Sequence, residues 1–172
     1  MLLLKNDGLV VESGGRGLYV APIDPASITQ RYQIRLVLDQ LAARLVAARA
    51  AASPDFGAAL RRRGEEILAR GRAAVTAGDL RESVGHDVVF HSFLYEMSGN
   101  PLIATTAEAH WHFLRRVMIE VLLKAARGDL VWKQHDAILD ALVRGDGAEA
   151  HELVTVHVEG AETALLDTMS TA

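Results

Sequence analysis

The stretch HDVVFHSFLY, residues 86–95, decides the fold of this chain. It is typical of a helix that is apolar on nearly all sides, which predicts a position at the centre of a helical bundle. Asp87 and His91 are four residues apart, so both project from the same helix face, one turn from each other. A buried carboxylate is costly unless it is paired or bound to a metal. We therefore expect the rest of the bundle to supply partners for these two side chains.

The composition is typical of a single helical domain. The chain has 172 residues, of which 50% are hydrophobic and only 5% aromatic, and few runs favour strands. No cysteine is present, so a disulfide framework is excluded and a cytoplasmic location is expected. No apolar stretch has the length of a signal peptide or a membrane span. The net charge of −4 argues against nucleic-acid binding by the chain as a whole.

Capping signals divide most of the chain into six predicted helices. Asp24-Pro25, Ser53-Pro54 and Asn100-Pro101 each place a capping side chain before a proline that suits the first helical turn. Glycines near residues 78, 99, 128 and 145 mark the breaks between helices. The short loops imply antiparallel neighbours, so we predict an all-α, antiparallel six-helix bundle.

Residues 8–21 differ from this helical pattern. Residues 8–12 and 17–21 are two short extended runs, and residues 13–16 supply a turn with Arg16 near its tip. Pro22 ends the second run. The segment predicts a β-hairpin that precedes the bundle. Because a two-stranded ribbon is marginally stable alone, we expect it to belong to a larger unit.

Two more histidines are predicted to reach one level of the core. His135 and His157 each lie on an apolar helix face, and each is eleven residues from Asp146, at the turn between the last two helices. In an antiparallel helix pair, positions equidistant from the turn lie at the same height. With Asp87 and His91, they make three imidazoles and one carboxylate, a set typical of a metal site.

A second interpretation of these four residues stays open. A single buried histidine is commonly neutral and hydrogen-bonded, without any metal. Four ionisable groups on inward helix faces are harder to explain in that way, so we favour a metal site. The alternative is a structural Asp–His network whose members satisfy one another's hydrogen bonds.

Several motifs follow one another in a specific order and spacing. They are D-x-x-F-H at residues 87–91, S-G-N-P at 98–101, Q-H-x-x-I-L-x-A-L at 134–142, G-D at 145–146 and the closing His157. Together they resemble the FCD domain, the C-terminal effector-binding domain of FadR-type regulators in the GntR family. Residues 34–43 resemble the opening helix of that domain, with Asp39 where a Glu is more usual. The resemblance covers residues 24 to about 165, and we assign residues 23–172 to this domain.

The resemblance implies a sensing role in transcription regulation. In metal-binding members of the family, the four motif positions bind a divalent ion, often zinc or nickel. Here those positions are Asp87, His91, His135 and His157. The effectors are commonly small organic acids, whose carboxylate can complete the coordination of the ion, and we expect a homodimer.

Arg35, on the first predicted helix, is the best candidate for a second anchor of such an effector. A guanidinium group grips a carboxylate with two parallel hydrogen bonds. The alternative is an ordinary surface ion pair between Arg35 and Asp39, four residues further along the same helix. Arg115 and Arg116 are weaker candidates.

Residues 1–22 resemble the end of the recognition helix and the wing of the winged helix-turn-helix domain in GntR regulators. The first two helices of that domain and the base-reading half of its recognition helix are missing before residue 1. We expect either a truncated reading frame or a natural loss of the DNA-reading half. Arg16, at the tip of the wing, is the remaining candidate for a DNA contact.

Two other function classes compete with a sensing domain. A metal-dependent oxygenase or hydrolase also uses Asp and His ligands with open positions. Such an enzyme needs a positioned base, for which Tyr95, His110 and Glu120 are conceivable but have no supporting spacing, so we do not expect an enzyme. The third class is a metal-stabilised dimerisation module that binds no effector.

Overall fold

The described residues form a short hairpin followed by six α-helices. A computed structural model describes residues 9–12, 17–122 and 128–171 of the chain. The strands are β1 (Val10–Glu12) and β2 (Leu18–Val20). The helices are α1 (Pro25–Ala52), α2 (Pro54–Thr76), α3 (Leu80–Ser98), α4 (Pro101–Leu122), α5 (Gly128–Val143) and α6 (Gly147–Ser170). The prediction of an all-α bundle with a preceding hairpin is confirmed.

The hairpin is antiparallel and is tied to the bundle by an arginine. Val10 lies opposite Val20 in its register. After β2, the backbone carbonyl of Ala21 accepts a 2.8 Å hydrogen bond from Nη2 of Arg116 in α4. Arg16 and the rest of the predicted turn, like residues 1–8, lie outside the described residues.

The three predicted capping residues, Asp24, Ser53 and Asn100, each accept a hydrogen bond from a backbone N–H in the first turn of the helix that follows. Asp79 and Asp146, which are not among the predicted caps, do the same for α3 and α6. Gly99 ends α3 in the left-handed region with φ 77°, which an L side chain rarely adopts. The sequence predicts that the fourth helix extends to about residue 126, and residues 123–127 lie outside the described part of the chain.

Helix α3 is buried along a broad face, as its apolar pattern predicts, but the helix at the centre of the bundle is α1, which packs against the other five. Helix α3 packs against α1, α2 and α4, and its Phe90 and Leu94 are buried. Helices α5 and α6 form an antiparallel hairpin, in which α5 packs against α2 and α6 packs against α1. This arrangement aims one face each of α1, α3, α5 and α6 at a common interior.

Two glycines let α2 and α5 approach closely. A Cβ added to Gly71 would lie 2.1 Å from the ring of Trp132, and one added to Gly64 would lie 2.6 Å from the Leu139 side chain. No side chain fits at these distances. Because Trp132 and Leu139 flank His135 along α5, these two contacts set the depth at which that histidine lies in the core.

None of the helices within the described ranges combines the length and the hydropathy that a membrane crossing requires.

Candidate metal centre

Three helices bring four ionisable side chains to one point in the core. Asp87 and His91 come from α3, His135 from α5 and His157 from α6, and one ligand atom from each lies within 4.8 Å of all the others. We call these four residues the His/Asp cluster. All four are buried, and even Asp87, which is the most exposed, keeps only 8% of its surface. The structure therefore juxtaposes the four residues chosen from the sequence, and their role as metal ligands stays a prediction.

The donor atoms of the His/Asp cluster face one another at short range. Nε2 of His135 lies 3.2 Å from Nε2 of His157 and 3.4 Å from Oδ1 of Asp87. Nε2 of His157 lies 3.3 Å from Nε2 of His91, which is 3.9 Å from Oδ1 of Asp87. Two sequence spacings produce this geometry. Asp87 and His91 are one helical turn apart, and His135 and His157 are at equal distances from the α5–α6 turn.

A buried carboxylate in α1 fixes the orientation of His91. Oδ2 of Asp39 lies 3.1 Å from Nδ1 of His91 and accepts a 3.3 Å hydrogen bond from Nε of Arg35. The hydroxyl of Tyr95 donates to Oδ1 of Asp39. Burial raises the pKa of Asp39, but His91, Arg35 and Tyr95 more than offset it and hold the pKa at about 2. The ionised carboxylate favours the His91 tautomer that has its proton on Nδ1, in which the lone pair of Nε2 faces the cluster.

A glutamine of α5 orients the ring of His157. Nδ1 of His157 lies 3.1 Å from Oε1 of Gln134, and donation to this oxygen leaves Nε2 unprotonated. Burial lowers the pKa of His157 well below its usual range, and the neighbouring His91 and Arg35 lower it further. Burial also lowers the pKa of His135, with contributions from His157 and His91. Neutral imidazoles with inward lone pairs are the form in which histidine binds metals.

The donor set and its spacing fit a divalent cation. Ligand atoms that surround one ion at about 2.1 Å lie roughly 3 to 4 Å from one another, and the four donor–donor distances given above fall in that range. The lone pairs of His91 and His157 need a proton or a cation between them, and Nη2 of Arg35 is placed to supply it, 2.7 Å from Nε2 of His91 and 3.5 Å from Nε2 of His157. Oδ2 of Asp87 is buried and has no hydrogen-bond partner among the described residues. A self-satisfied network would leave that oxygen unpaired, so the cluster fits a metal better.

Arg35 lies beside the His/Asp cluster and is almost completely buried. Its Nη2 lies 2.7 Å from Nε2 of His91, and its guanidinium carbon is 4.4 Å from the ring centre of Trp111. The ion pair with Asp39 expected as an alternative is present, but both partners are buried, so it is no ordinary surface pair. Arg35 thus forms the ion pair with Asp39 within α1 and also contacts the His/Asp cluster.

A cavity of about 130 Å³ adjoins the cluster between α1, α3, α5 and α6. Arg35, Asp87 and His157 contribute to its wall, and Tyr32 and Gln134 lie there too. The hydroxyl of Tyr32 and Nη1 of Arg35 are buried without a hydrogen-bond partner among the described residues. The cavity therefore offers two unused donors next to the cluster.

The remaining histidines and the residues considered for an enzyme lie elsewhere. His112 and His151 are exposed, and His86 and His110 are partly buried outside the cluster. Glu120 pairs with Arg116, 2.8 Å away. Tyr95 donates to Asp39 and accepts a hydrogen bond from Trp111, so it supports His91 indirectly.

Sequence reasoning missed three supporting residues. The sequence indicates Asp39 only as a partner of Arg35 and as a departure from the Glu usual in the family, and Gln134 only as part of a motif. It indicates no role for the Tyr32 hydroxyl. The one available signal was a carboxylate at position 39 within the apolar face of α1. Nothing in the spacing indicated that Gln134 would contact His157 or that the Tyr32 hydroxyl would lack a partner.

Comparison with known proteins identifies one family and several relatives. The family model of the FCD domain matches residues 30–160. An uncharacterized HTH-type transcriptional regulator in an unstable DNA locus of Streptomyces ambofaciens is 28% identical over 166 residues, which cover 92% of this chain and 64% of that protein. The chain thus spans slightly less than two thirds of that relative.

Solved structures share the fold. E. coli McbR/YncC matches with a TM-score of 0.81 and 16% identity, over 98% of this chain and 77% of that one. Streptococcus agalactiae GntR matches with a TM-score of 0.66 and 20% identity, over 93% of this chain and 77% of that one. At these identities the likeness concerns the fold alone.

Proposed function

Since the chain belongs to the FCD domain family, the ligand-sensing domain of GntR-type regulators, we propose that it senses a small carboxylate through a divalent metal ion. Asp87, His91, His135 and His157 would hold the ion, and zinc or nickel suits this donor set. The observation that supports this most is the convergence of three Nε2 atoms and one carboxylate within 4.8 Å in a buried site.

The proposal divides the chemistry between the ion and the protein. A bound divalent ion would supply a Lewis-acid position for one carboxylate oxygen of the effector. The protein supplies neutral imidazoles, whose protons are held on the outer nitrogens of His91 and His157 by Asp39 and Gln134. It also supplies donors for the effector: Nη1 of Arg35 and the hydroxyl of Tyr32, both buried and unpaired among the described residues.

Arg35 has to change partners when the site is loaded. Its Nη2 lies within 2.7 Å of Nε2 of His91, and one lone pair cannot accept this hydrogen bond and bind an ion at once. The contacts of Arg35 with Asp39 and Trp111 do not involve the cluster and can be kept. The guanidinium therefore turns from His91 toward the effector carboxylate, about the pivot that its Nε–Asp39 bond provides.

The domain boundaries and the assembly are part of the same proposal. We assign residues 1–22 to the end of a recognition helix and the wing of a winged helix-turn-helix, and residues 23–172 to the sensing domain. We propose that two copies pair in a cytoplasmic regulator, and that effector binding in the sensing domain changes the disposition of its DNA-reading parts. Such coupling requires that the two arrangements bind the effector with different affinities.

Metal content and thermal unfolding test this function. Purified protein should carry about one divalent ion per chain, and its melting temperature should fall after chelation. His157→Ala should abolish both the ion and the response to small carboxylates, whereas His151→Ala, at an exposed position of the same helix, should leave both intact. A melting temperature that does not change on addition of zinc, nickel or a chelator would refute the metal site.

A second pair of variants separates the effector from the metal. Arg35→Ala should weaken acid binding and spare the metal, and Arg35→Lys, which keeps the buried charge but loses the planar fork, should do the same with less loss of stability. Arg44→Lys, at an exposed position of α1, is the control. Turnover of a small acid by metal-loaded protein, in place of simple binding, would favour the enzyme class.

A further inference from the structure

The cavity beside the His/Asp cluster is polar at one end and apolar over the rest of its wall. Resting on the function proposed above, we propose that the effector is a monocarboxylate of about six carbon atoms in all, with an apolar body, and that dicarboxylates and sugar acids are excluded. The polar end receives the carboxylate, and the apolar wall receives the body.

The polar end is matched to one carboxylate. Arg35 and Tyr32 both line the cavity, and Nη1 of Arg35 and the hydroxyl of Tyr32 are buried without a partner in the described part of the chain. A carboxylate has acceptor positions for both, in addition to the oxygen that would face the ion. Burial keeps the pKa of Tyr32 above its usual value, so the phenol retains its proton and can donate.

In the described part of the chain, the far wall offers no cation for a second charge. Its described lining residues there are aliphatic and other apolar side chains, chiefly Leu80, Val84, Met118, Val131 and Leu165. Ser83 accepts a 3.3 Å hydrogen bond from the indole of Trp132. Arg35 is the only Lys or Arg side chain among the described residues of the wall. A second carboxylate would find no cation among these described residues, and several hydroxyls would find few partners.

The volume limits the size of the apolar body. The cavity measures about 130 Å³. An apolar protein cavity of about 150 Å³ holds one benzene ring, so the space suits roughly six carbon atoms. Gly160, which is exposed, also lines the cavity, and a Cβ added there would meet no atom within 4 Å. The wall therefore has room at α6 for an effector to enter.

A matched series of acids tests this class on the metal-loaded full chain. Isothermal titration with acetate, butanoate and hexanoate should show roughly fourfold tighter binding for each added methylene. Adipate, which has a carboxylate in place of the terminal methyl group of hexanoate, should bind at least about a hundredfold more weakly than hexanoate. Hexanamide, which keeps the body and loses the charge, should also bind weakly.

A variant that fills the cavity tests the placement of the body. Ala161→Leu, on the cavity wall, should weaken hexanoate at least about tenfold while acetate and the metal bind as before. Ala148→Leu, at an exposed position of α6, is the control.

The possible failures are distinguishable. If metal-loaded protein binds none of the acids, acetate included, the proposed function itself is wrong. If acetate binds but adipate matches hexanoate, or affinity does not rise with chain length, the proposed effector class is overturned and the metal site stands. The wild-type series alone decides this, even if Ala161→Leu does not fold.

Discussion

Replacement of Asp39 by Asn should weaken metal binding, although Asp39 is outside the His/Asp cluster. Oδ2 of Asp39 lies 3.1 Å from Nδ1 of His91 and 3.3 Å from Nε of Arg35. Asn can place its carbonyl oxygen at this position and its amide toward Tyr95, so the size and most hydrogen bonds are kept. The substitution removes the negative charge of Asp39. The pKa of this carboxyl, about 2, indicates that its surroundings strongly favour the ionised form.

Two magnitudes follow from that loss. His91 becomes a weaker base without an anionic partner on Nδ1, and loss of such partners typically lowers metal affinity by about 10- to 100-fold. Arg35 becomes a buried charge without its carboxylate, which costs about 3–5 kcal/mol of unfolding free energy in comparable cases. We therefore expect Asp39→Asn to fold less stably and to bind zinc or nickel more weakly.

The assay is competition with a chromogenic chelator, together with urea unfolding of the metal-free protein. Asp140→Asn is the control, because Asp140 is half-exposed and pairs with Arg61 on the surface. Such pairs contribute at most about 1 kcal/mol, and this one does not reach the cluster. Wild-type metal affinity in Asp39→Asn would refute the idea that Asp39 orients and charges His91.

Two further predictions concern pH and packing. In metal-free protein, the pKa values of His135 and His157 are lowered, so below about pH 6.5 the unfolded state binds more protons than the folded state. The unfolding free energy should therefore decrease as the pH decreases, by up to about 2.7 kcal/mol per pH unit for the two groups together. Urea titrations between pH 7 and pH 5 measure this, and a flat profile would contradict it. Gly71→Ala should cost about 1–3 kcal/mol and weaken metal binding, because its Cβ would displace Trp132 and with it α5. Gly85→Ala, where a Cβ meets no atom within 4 Å, should be neutral or stabilising in the same unfolding assay.

The sequence could predict the His/Asp cluster because each of its spacings is fixed by local geometry. Four residues along one helix place Asp87 and His91 on one face, whatever surrounds them. Equal distances from a short turn place His135 and His157 at one height. The capping residues then located the helices, since a cap depends on only a few neighbouring residues.

The supporting residues could not be predicted because tertiary packing decides their role. Arg35 and Asp39 have the same sequence signature whether their helix face is exposed or buried, and only the packing of α1 against α3 and α6 buries them. The close approach at Gly71 depends likewise on where Trp132 of α5 lies. The role of Arg16 stays a prediction, since it lies outside the described residues.

The central claim is that the His/Asp cluster holds a divalent ion, and anomalous X-ray diffraction at the absorption edge of the bound metal tests it most directly. The account predicts one strong peak per chain at about 2.1 Å from Nε2 of His91, His135 and His157. Asp87 should supply an oxygen ligand, and Arg35 should have turned away from His91. Crystals of protein purified with zinc or nickel that show no peak at the cluster, or show it only at surface histidines, would contradict the account.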